Sequence, residues 1–438
     1  MKINKNYYII TIGCQMNVVD SERLAAFLEN SGFSLTKDIN KAGAIIINTC
    51  GVKQSAEDRV YGLVNTIRKT NKSAKIVITG CLSKRADVKK RLQERVDIFL
   101  PINEMIQLPE LLGGKELTPR FSLDEVRLKD GEKYLNILPK HGKEFMAYVP
   151  IGNGCNNFCA YCVVPYARGR EVYRPAVEVI KEVKSLIKKG YKEITLIAQN
   201  VNSYHDKNYD FPKLLKTVVD IPGEFWIRFS SSHPKDMSDD LINMLGYSDK
   251  ICSHLHLALQ SGDDEILKIM NRKYTAAHFE DLINKVRESK PGIAITTDVI
   301  VGFPGETRKQ FANTLKLFKR VKFDLAYISQ YSPRYGTASA EMKDNVSSIE
   351  KKRREEEVNT ILKKTALENN KKFIDNEALV LVEGMNKRGK YYGKTSGYLT
   401  VLIRSSKKTT KKIIGTFVKV KIKEILPFAL EGELVSEK

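Results

Sequence analysis

Residues 155–162 of this 438-residue chain read Cys-Asn-Asn-Phe-Cys-Ala-Tyr-Cys. The thiols of Cys155, Cys159 and Cys162 are three and two residues apart, and Tyr161 precedes the last one. A loop this tight can wrap its thiolates around one side of a 4Fe–4S cluster, which takes four ligands when every iron is bound by protein. The spacing therefore predicts a cluster with one iron open to an external ligand. We call these three cysteines the loop triad.

Two other interpretations of the loop remain open at this point. A zinc site usually needs a second cysteine pair or a Cys/His set, and none lies nearby. A disulfide framework fits poorly with a chain that begins without a secretory leader. An odd number of cysteines, seven in all, also suits reduced thiols. We therefore expect a cytoplasmic protein, and no apolar run approaches the ~20 residues that span a membrane.

Strand-like and helical patterns alternate around the loop, over residues 146–370. Strand-like runs at 147–151, 193–198, 226–230, 254–259, 295–301 and 325–329 predict six β/α units. Six units form an open barrel, short of the closed eightfold form, and such barrels carry their chemistry at the carboxyl ends of the strands.

The predicted strand ends are all polar or rich in glycine. A ring of such groups above the loop triad would suit a small, polar, zwitterionic cofactor, although loops at strand ends are often polar in any case. The residues that we single out as cofactor-binding candidates are Gln199, Asn200, Ser232, Gln260 and Ser261.

Charged and metal-ligating side chains elsewhere in this segment allow two interpretations each. Arg168, Arg170 and Arg174 follow the loop triad closely and could bind a carboxylate or phosphate, or could line a solvated loop. His254 and His256 share one face of a predicted strand. They could form a metal pair, but histidines that pack inside the barrel are the more common case. No residue is singled out as catalytic.

Residues 1–115 repeat a pattern in which a short apolar run ends at a cysteine. Cys14, Cys50 and Cys81 follow three such runs, and helical periodicity follows each cysteine. This is typical of buried parallel strands in a doubly wound α/β sheet. The carboxyl ends of those strands meet at one edge. We therefore predict that these cysteines, the strand-end triad, hold a second 4Fe–4S cluster with an open iron; buried core cysteines are the ordinary alternative.

The remaining segments read as a linker over residues 116–145, with a short strand near Tyr134–Ile137, and a C-terminal domain over 371–438. The C-terminal domain alternates like a small antiparallel barrel, with turns at 387–389 and 405–407. It contains 15 Lys and Arg against 7 Asp and Glu, a net charge of +8, and the whole chain carries +21. Tyr391, Tyr392 and Tyr398 lie among these basic residues. Basic and aromatic side chains together predict binding of single-stranded nucleic acid, with a merely soluble basic surface as the alternative.

These features resemble the methylthiotransferases of the radical S-adenosylmethionine superfamily over nearly the whole chain. Within that family the MiaB-type branch is the most similar, and the C-terminal barrel resembles a TRAM domain. The Gly-Gly-Glu motif of many radical enzymes is absent at the second strand, where Gln199-Asn200 stands, as in the MiaB-type branch. The motifs that carry the resemblance are 11–17 (TIGCQMN), 48–50 (NTC), 80–81 (GC), the loop triad, 164–171 (VPYARGRE), 199–204 (QNVNSY) and 302–307 (GFPGET).

The resemblance implies a specific reaction. The branch converts N6-isopentenyladenosine at position 37 of tRNA, 3′ to the anticodon, into its 2-methylthio form. The cluster on the loop triad would bind and reduce S-adenosylmethionine, and the resulting 5′-deoxyadenosyl radical would attack C2 of the adenine. The strand-end cluster would carry the sulfur, which a second S-adenosylmethionine methylates. The implied partners are the tRNA anticodon loop, an electron donor of the flavodoxin or ferredoxin type, and a donor of sulfur or of clusters.

Two alternatives from different classes stay open on the sequence alone. A sister methylthiotransferase would act on N6-threonylcarbamoyladenosine-37 of tRNA or on an aspartate of a ribosomal protein, although those branches resemble this chain less at residues 15–17. A tRNA-binding protein with structural iron–sulfur clusters would show no cleavage of S-adenosylmethionine under reducing conditions.

Overall fold

A computed structural model describes residues 4–113, 134–404 and 413–435. The first domain is a five-stranded parallel sheet with the strand order β2-β1-β3-β4-β5. Its elements are β1 (Asn6–Thr11), α1 (Gln15–Asn30), β2 (Ser34–Leu35), β3 (Ala44–Thr49), α2 (Gln54–Thr70), β4 (Lys75–Gly80), α3 (Ala86–Leu92), β5 (Ile98–Phe99) and α4 (Leu108–Leu111).

The central strand β3 shows why this sequence forms a sheet covered on both faces. All six of its residues are buried. Successive strand side chains point to opposite faces. Ile46 packs with Leu24 and Phe27 of α1, whereas Ile45 and Ile47 pack with side chains of α2 on the other face. The doubly wound α/β fold predicted for this segment is confirmed.

The second domain contains six main parallel strands that form two three-stranded sheets. The strands of the domain are β6 (Met146–Pro150), β7 (Gly152–Asn153), β8 (Val172–Tyr173), β9 (Glu193–Ile197), β10 (His205–Asp206), β11 (Tyr209–Asp210), β12 (Trp226–Phe229), β13 (His254–His256), β14 (Ala294–Val301) and β15 (Leu325–Gln330). Of these, β7 with β8 and β10 with β11 form two short antiparallel pairs outside the two main sheets. The orders are β12-β9-β6 and β13-β14-β15, and parallel bridges from Ile227 to Ile251 and from Ser232 to Leu257 join them. This is the open six-stranded barrel that the sequence predicts.

Helices cover the outside of this central barrel and bury its largest hydrophobic core. Val179 and Val183 on one helix and Leu214 and Val218 on the next are fully buried in that core. The helices are α5 (Val164–Arg168), α6 (Ala176–Lys188), α7 (Phe211–Val219), α8 (Asp239–Tyr247), α9 (Asp264–Ile269), α10 (Ala276–Ser289), α11 (Arg308–Val321) and the long connector α12 (Ser348–Asn370). No helix among the described residues combines the length and apolar character needed to cross a bilayer.

The linker differs from the sequence prediction where it can be compared. Tyr134–Asn136 is a 3-10 helix, so the short strand expected near Tyr134–Ile137 is wrong. Tyr134 and Leu135 are consecutive and both buried in the core of the first domain, which the alternating faces of a strand would not allow. Residues 116–133 of the predicted linker lie outside the described residues.

The third domain is a closed barrel of five strands in the order β16-β17-β18-β20-β19. They are β16 (Glu377–Met385), β17 (Tyr391–Thr395), β18 (Thr400–Arg404), β19 (Phe417–Leu426) and β20 (Ala429–Leu434). The barrel is antiparallel as predicted, except that β18 and β20 pair in parallel. The turn predicted at 387–389 lies between β16 and β17, and the one predicted at 405–407 lies outside the described residues.

Candidate metal centre and reaction cavity

The loop triad lies in a segment whose backbone is fixed by hydrogen bonds on both sides. The Cys155 amide donates to the Gly169 carbonyl (3.1 Å), the Cys162 amide donates to the Cys159 carbonyl (2.9 Å), and the Asn271 side chain donates to the Phe158 carbonyl (3.0 Å). These bonds define the shape of the loop before any metal binds.

Gly154 shows how closely the loop is held. Its φ of +83° lies in the left-handed region, and a Cβ there would be 2.1 Å from the Arg170 carbonyl oxygen. A glycine is therefore required at the start of the loop.

In the loop triad, Cys155 and Cys159 are buried and Cys162 is half-buried. Burial raises the pKa of the Cys162 thiol to about 12, and the neighbouring Cys159 and Cys155 thiols add to the shift. Burial likewise raises the pKa of Cys155 to about 11. Buried thiols lose their protons when a metal binds them, because the metal takes the place of the proton.

The strand-end triad converges at the carboxyl edge of the first sheet. Cys14 directly precedes α1, and Cys50 and Cys81 directly follow β3 and β4. Burial raises the pKa of the Cys50 thiol, and the Cys81 and Cys14 thiols contribute to that shift. A Cβ added at Gly13 would be 3.1 Å from Cys50 Cβ, and one at Gly51 would be 3.2 Å from Cys81 Cβ, so the segments that carry the three cysteines lie side by side. The edge geometry expected from the sequence brings these cysteines together.

A buried amide network that the sequence did not predict supports this triad. The Asn17 side chain donates to Asn48 Oδ1 (2.9 Å) and to the Thr49 carbonyl (3.0 Å). The Asn48 side chain donates in return to the Asn17 carbonyl (2.9 Å) and to Ser21 Oγ (3.0 Å). These residues fix the backbone beside Cys14 and Cys50. The only sign of this role in the sequence was that Asn17 and Asn48 lie three and two residues from a cysteine in the quoted motifs.

The two triads face a common cavity of about 1250 Å³. Cys14 of the strand-end triad and Cys162 of the loop triad both line it. Cys81 packs against Val163 and Ala167, which closely follow Cys162 in the chain. Both triads therefore lie within reach of one substrate.

The donor chemistry of the site fits iron–sulfur clusters better than a single ion. Within the described ranges, no three His, Cys, Asp or Glu side chains converge closely enough to hold one metal ion. The sulfurs around a cluster lie farther apart than those around a single ion, and all-thiolate sets are the usual ligands of 4Fe–4S clusters.

Three of the five cofactor-binding candidates carry a buried polar atom without a hydrogen-bond partner. They are Gln199 Oε1, Asn200 Oδ1 and Ser232 Oγ. Buried polar groups are normally satisfied, so such atoms indicate that a polar ligand completes the site. These residues therefore fit a zwitterionic cofactor.

The other two candidates differ from each other. Gln260 lines the cavity beside Ser230 and Ser231, and its backbone has a left-handed φ of +69°. Ser261 is fully buried, and its hydroxyl accepts a hydrogen bond from the Asp263 amide (3.2 Å). Of the five candidates, the structure therefore brings Gln260 into the lining of the cavity, whereas Gln199, Asn200, Ser232 and Ser261 lie outside that lining.

The arginines after the loop triad bind carboxylates and carbonyls of the protein. Arg168 pairs with Asp20 of α1 at 2.7 Å, and both side chains are buried. Arg174 pairs with Glu182 at 2.7 Å. For these two arginines the solvated-loop interpretation is wrong. Arg170 is exposed and lies over the Phe158 ring at 4.6 Å.

Two further arginines make contacts at the site that the sequence did not predict. Arg334, at the end of the last barrel strand, donates to the Val52 carbonyl (3.0 Å) and to Gln54 Oε1 (2.8 Å), just after Cys50. Arg272 donates to Cys159 Sγ (3.5 Å) and is held by the Ala258 carbonyl (2.6 Å). The sequence placed Arg334 among the polar residues after the sixth strand, but it could not give the contacts of either arginine because most of their partners lie far away in the chain.

His254 and His256 serve as packing and hydrogen-bonding groups inside the barrel. Both lie within hydrogen-bond distance of Thr296 Oγ1, and His256 Nε2 is 3.0 Å from Asp298 Oδ2. Both also line the cavity. The packing interpretation, rather than the metal pair, fits these contacts.

Three family models match the chain in order. "Uncharacterized protein family UPF0004" matches residues 6–100, the "Radical SAM superfamily" matches 149–318, and the "TRAM domain" matches 373–435.

Curated relatives are similar over nearly the full length. The protein from Thermoanaerobacter sp. (strain X514) is 42% identical over 99% of this chain and 93% of its own, and the one from Bacillus subtilis (strain 168) is 37% identical over 99% and 86%. Both are named tRNA-2-methylthio-N(6)-dimethylallyladenosine synthase.

A solved structure shares the fold. A radical S-adenosylmethionine methyltransferase from Kitasatospora setae, with cobalamin and a 4Fe–4S cluster bound, has a TM-score of 0.54 at 15% identity over 77% of each chain. At this identity, the similarity concerns the fold alone.

Proposed function

Since this chain belongs to the MiaB-type tRNA methylthiotransferases, the tRNA-2-methylthio-N6-dimethylallyladenosine synthases, we propose that its two cysteine triads hold two 4Fe–4S clusters on opposite sides of one reaction cavity. The activity of the family is the conversion of N6-isopentenyladenosine in tRNA into its 2-methylthio derivative by radical chemistry. The observation that carries the proposal for the site is the shared cavity lined by Cys14 and Cys162.

Cys155, Cys159 and Cys162 would hold the first cluster, which would bind S-adenosylmethionine. When bound, the first cluster and S-adenosylmethionine together supply the radical chemistry, and the second cluster supplies the sulfur. The unpartnered polar atoms of Gln199, Asn200 and Ser232 then bind the charged amino-acid end of the cofactor. A cofactor that satisfies these atoms is oriented as well as bound.

The fixed backbone on either side of the cavity holds both triads at a set spacing. Arg334 and the Asp20–Arg168 pair join the first domain to the barrel at both cluster-binding regions. A rigid spacing favours transfer between the two sites, because the reacting groups need no search for their orientation.

The substrate is the anticodon loop of tRNA, and the C-terminal domain supplies much of its binding surface. Lys387 and Arg388 are both exposed at the β16–β17 turn. An adenine leaves a loop at lower cost than a duplex, so position 37 can enter the cavity. We also propose a one-electron donor of the flavodoxin or ferredoxin type, a donor of sulfur or of clusters, and a cytoplasmic location. We propose the domain boundaries 1–115, 116–145, 146–370 and 371–438.

Anaerobic reconstitution tests this proposal directly. The full chain is loaded with iron and sulfide, and its iron is counted. The protein is then incubated with S-adenosylmethionine, a reductant and tRNA that bears N6-isopentenyladenosine. We expect iron for two clusters and the 2-methylthio nucleoside by mass analysis. Iron for one cluster only would overturn the site, and two clusters without methylthiolated product would overturn the activity.

A further inference from the structure

The reaction cavity passes through the whole central barrel. Cys14 and Cys162 line it at the carboxyl ends of the strands, and Lys394 and Tyr398 of the C-terminal barrel line it at the other end. His254, the first residue of β13, lies on the same side as Tyr398. The C-terminal barrel therefore borders the cavity at the amino ends of the strands.

Tyr398 makes the central contact at this end. Its ring stacks on the His254 imidazole, with centroids 4.9 Å apart and planes 19° from parallel. The Arg228 guanidinium lies 4.9 Å from the ring centroid and Lys394 Nζ lies 3.7 Å from it. The ring is held on several sides, so it is not free to stack on a nucleic-acid base. The sequence-based grouping of Tyr398 with the RNA-binding aromatics did not predict these contacts.

Arg228 is a buried charge, and one of its hydrogen-bond partners belongs to the docked C-terminal barrel. It is 3% exposed, pairs with Glu193 at 3.1 Å, and donates to the Ser396 carbonyl of the C-terminal barrel at 3.0 Å. Removing that carbonyl would leave a buried donor without its partner, which costs free energy. This polar contact therefore favours a closed interface between the central and C-terminal barrels, which we call the seam.

Apolar side chains continue the seam outward. The Trp226 and Phe417 rings lie 4.7 Å apart, and Trp226, Cys252 and Leu381 form a buried cluster across the two domains. Cys252 is a free cysteine outside both triads and is 1% exposed. Its protection reports whether the seam is closed.

We propose that the C-terminal barrel forms the floor of the reaction cavity, in addition to its role in binding RNA, and that Tyr398 closes the amino-terminal mouth of the central barrel. This inference rests on the proposed function, since the cavity is taken as the reaction site. A closed floor keeps water and small reductants away from reactive species formed above it.

The test uses full-length, reconstituted protein. Tyr398→Ala removes the ring. Tyr398→Phe keeps it, and Tyr392→Ala removes a matched tyrosine of the same barrel that does not line the cavity. The first measurement is the rate at which iodoacetamide alkylates Cys252, followed by peptide mass analysis. We expect Tyr398→Ala to react about tenfold faster than the wild type, the factor that corresponds to the loss of one aromatic pair. The two controls should react at the wild-type rate.

The second measurement is the amount of 2-methylthio nucleoside formed per 5′-deoxyadenosine released, in the presence of a small thiol. Tyr398→Ala should lower this ratio severalfold, whereas Tyr398→Phe should not. If Tyr398→Ala fails to retain its clusters, Tyr398→Leu takes its place. The proposal would be overturned if Cys252 were alkylated at the same rate in all variants, or if Tyr392→Ala raised that rate as much as Tyr398→Ala does. Wild-type protein that made no methylthiolated product would instead overturn the proposed function, because the alkylation rates need no turnover.

Discussion

Single arginines decide how the two cluster-binding regions are held relative to each other. Arg334 and its partner Val52 are 282 positions apart in the chain, and the arginine is 9% exposed. A buried guanidinium keeps its geometry because its donors are fixed in a planar fork. Residues of this kind act by positioning the loops that carry the ligands.

Replacing Arg334 by Gln should loosen the loop after Cys50 while leaving the loop triad intact. We expect cleavage of S-adenosylmethionine to persist and the methylthiolated product per cleaved cofactor to fall about tenfold, since hydrogen bonds to charged groups contribute ~1.5–3 kcal/mol. Magnetic coupling between the two reduced clusters, measured by EPR, should weaken as well. Arg308→Gln, whose side chain is 84% exposed, is the matched control. An unchanged product ratio and coupling would contradict this role.

His233 should make the stability of the protein depend on pH. Burial, with the Arg272 and Lys235 charges, lowers its pKa to about 2, whereas an unfolded histidine titrates near ~6.5. The folded state therefore binds fewer protons, and stability is lost as the pH falls below ~6.5, by up to about 1.4 kcal/mol per pH unit.

Urea unfolding at pH 7.5 and 5.5 checks this expectation. His233→Asn retains a side chain that can accept the hydrogen bond from the Lys235 amide but removes the titrating ring. The urea midpoints of this variant at the two pH values should therefore differ less than those of the wild type. His278→Asn, at a more accessible position, should behave like the wild type. Parallel profiles for the wild type and His233→Asn would rule out the histidine as the source.

At the scale of elements, the sequence predicts what depends on local pattern. The three cysteines that follow apolar runs lie at one sheet edge because parallel strands end together. The six barrel strands were recognised because each is a short apolar run between helical repeats. Tyr134 was assigned to a strand because it begins a short apolar run. Its burial comes instead from the core of the first domain, which it shares with side chains of the distant helix α1, and no local pattern contains that contact.

The loop that carries Cys155 should depend on glycine at one position and not at a nearby one. Gly154 and Gly169 have φ values of +83° and +85°, so alanine is strained at both, by ~1–2 kcal/mol. Only at Gly154 would the added Cβ collide with backbone, and Gly169 has nothing within 4 Å of it. Gly154→Ala should lose the iron of one cluster, and Gly169→Ala should keep both. Equal iron contents would refute the steric argument.

The two triads should separate by function when they are mutated as sets. Alanine at Cys155, Cys159 and Cys162 should abolish cleavage of S-adenosylmethionine. Alanine at Cys14, Cys50 and Cys81 should leave some cleavage but stop sulfur insertion. Each set should remove the iron of one cluster. Measuring 5′-deoxyadenosine and the modified nucleoside in the same reaction distinguishes them, and sulfur inserted without the strand-end triad would exclude its assigned role.

At the scale of the molecule, the contacts between domains are what sequence patterns do not reveal. Tyr398 was grouped with Tyr391 and Tyr392 because all three lie among basic residues. Its stacking on His254 exists only because the C-terminal barrel docks on the central one. The Arg334 hydrogen bonds and the Asp20–Arg168 pair are likewise products of docking. Composition predicted an RNA-binding domain but not its packing against the central barrel.

The basic turn between β16 and β17 should contribute to RNA affinity through charge. Replacing Lys387 and Arg388 by Gln should weaken binding of the anticodon stem-loop. The slope of log affinity against log salt should fall by about one for each phosphate that the variant no longer neutralises. Lys188→Gln with Lys189→Gln, two exposed charges at the end of helix α6, is the control. A slope identical to that of the wild type would place the RNA elsewhere.

The buried pair of Asp20 and Arg168 determines how material can enter and leave. If the first domain swung away from the barrel while either partner stayed buried, that charge would be left uncompensated, which costs about 3–5 kcal/mol. A hinge that opened at every turnover would meet that penalty each time. We therefore expect spent cofactor and modified tRNA to leave while the first domain stays joined to the barrel.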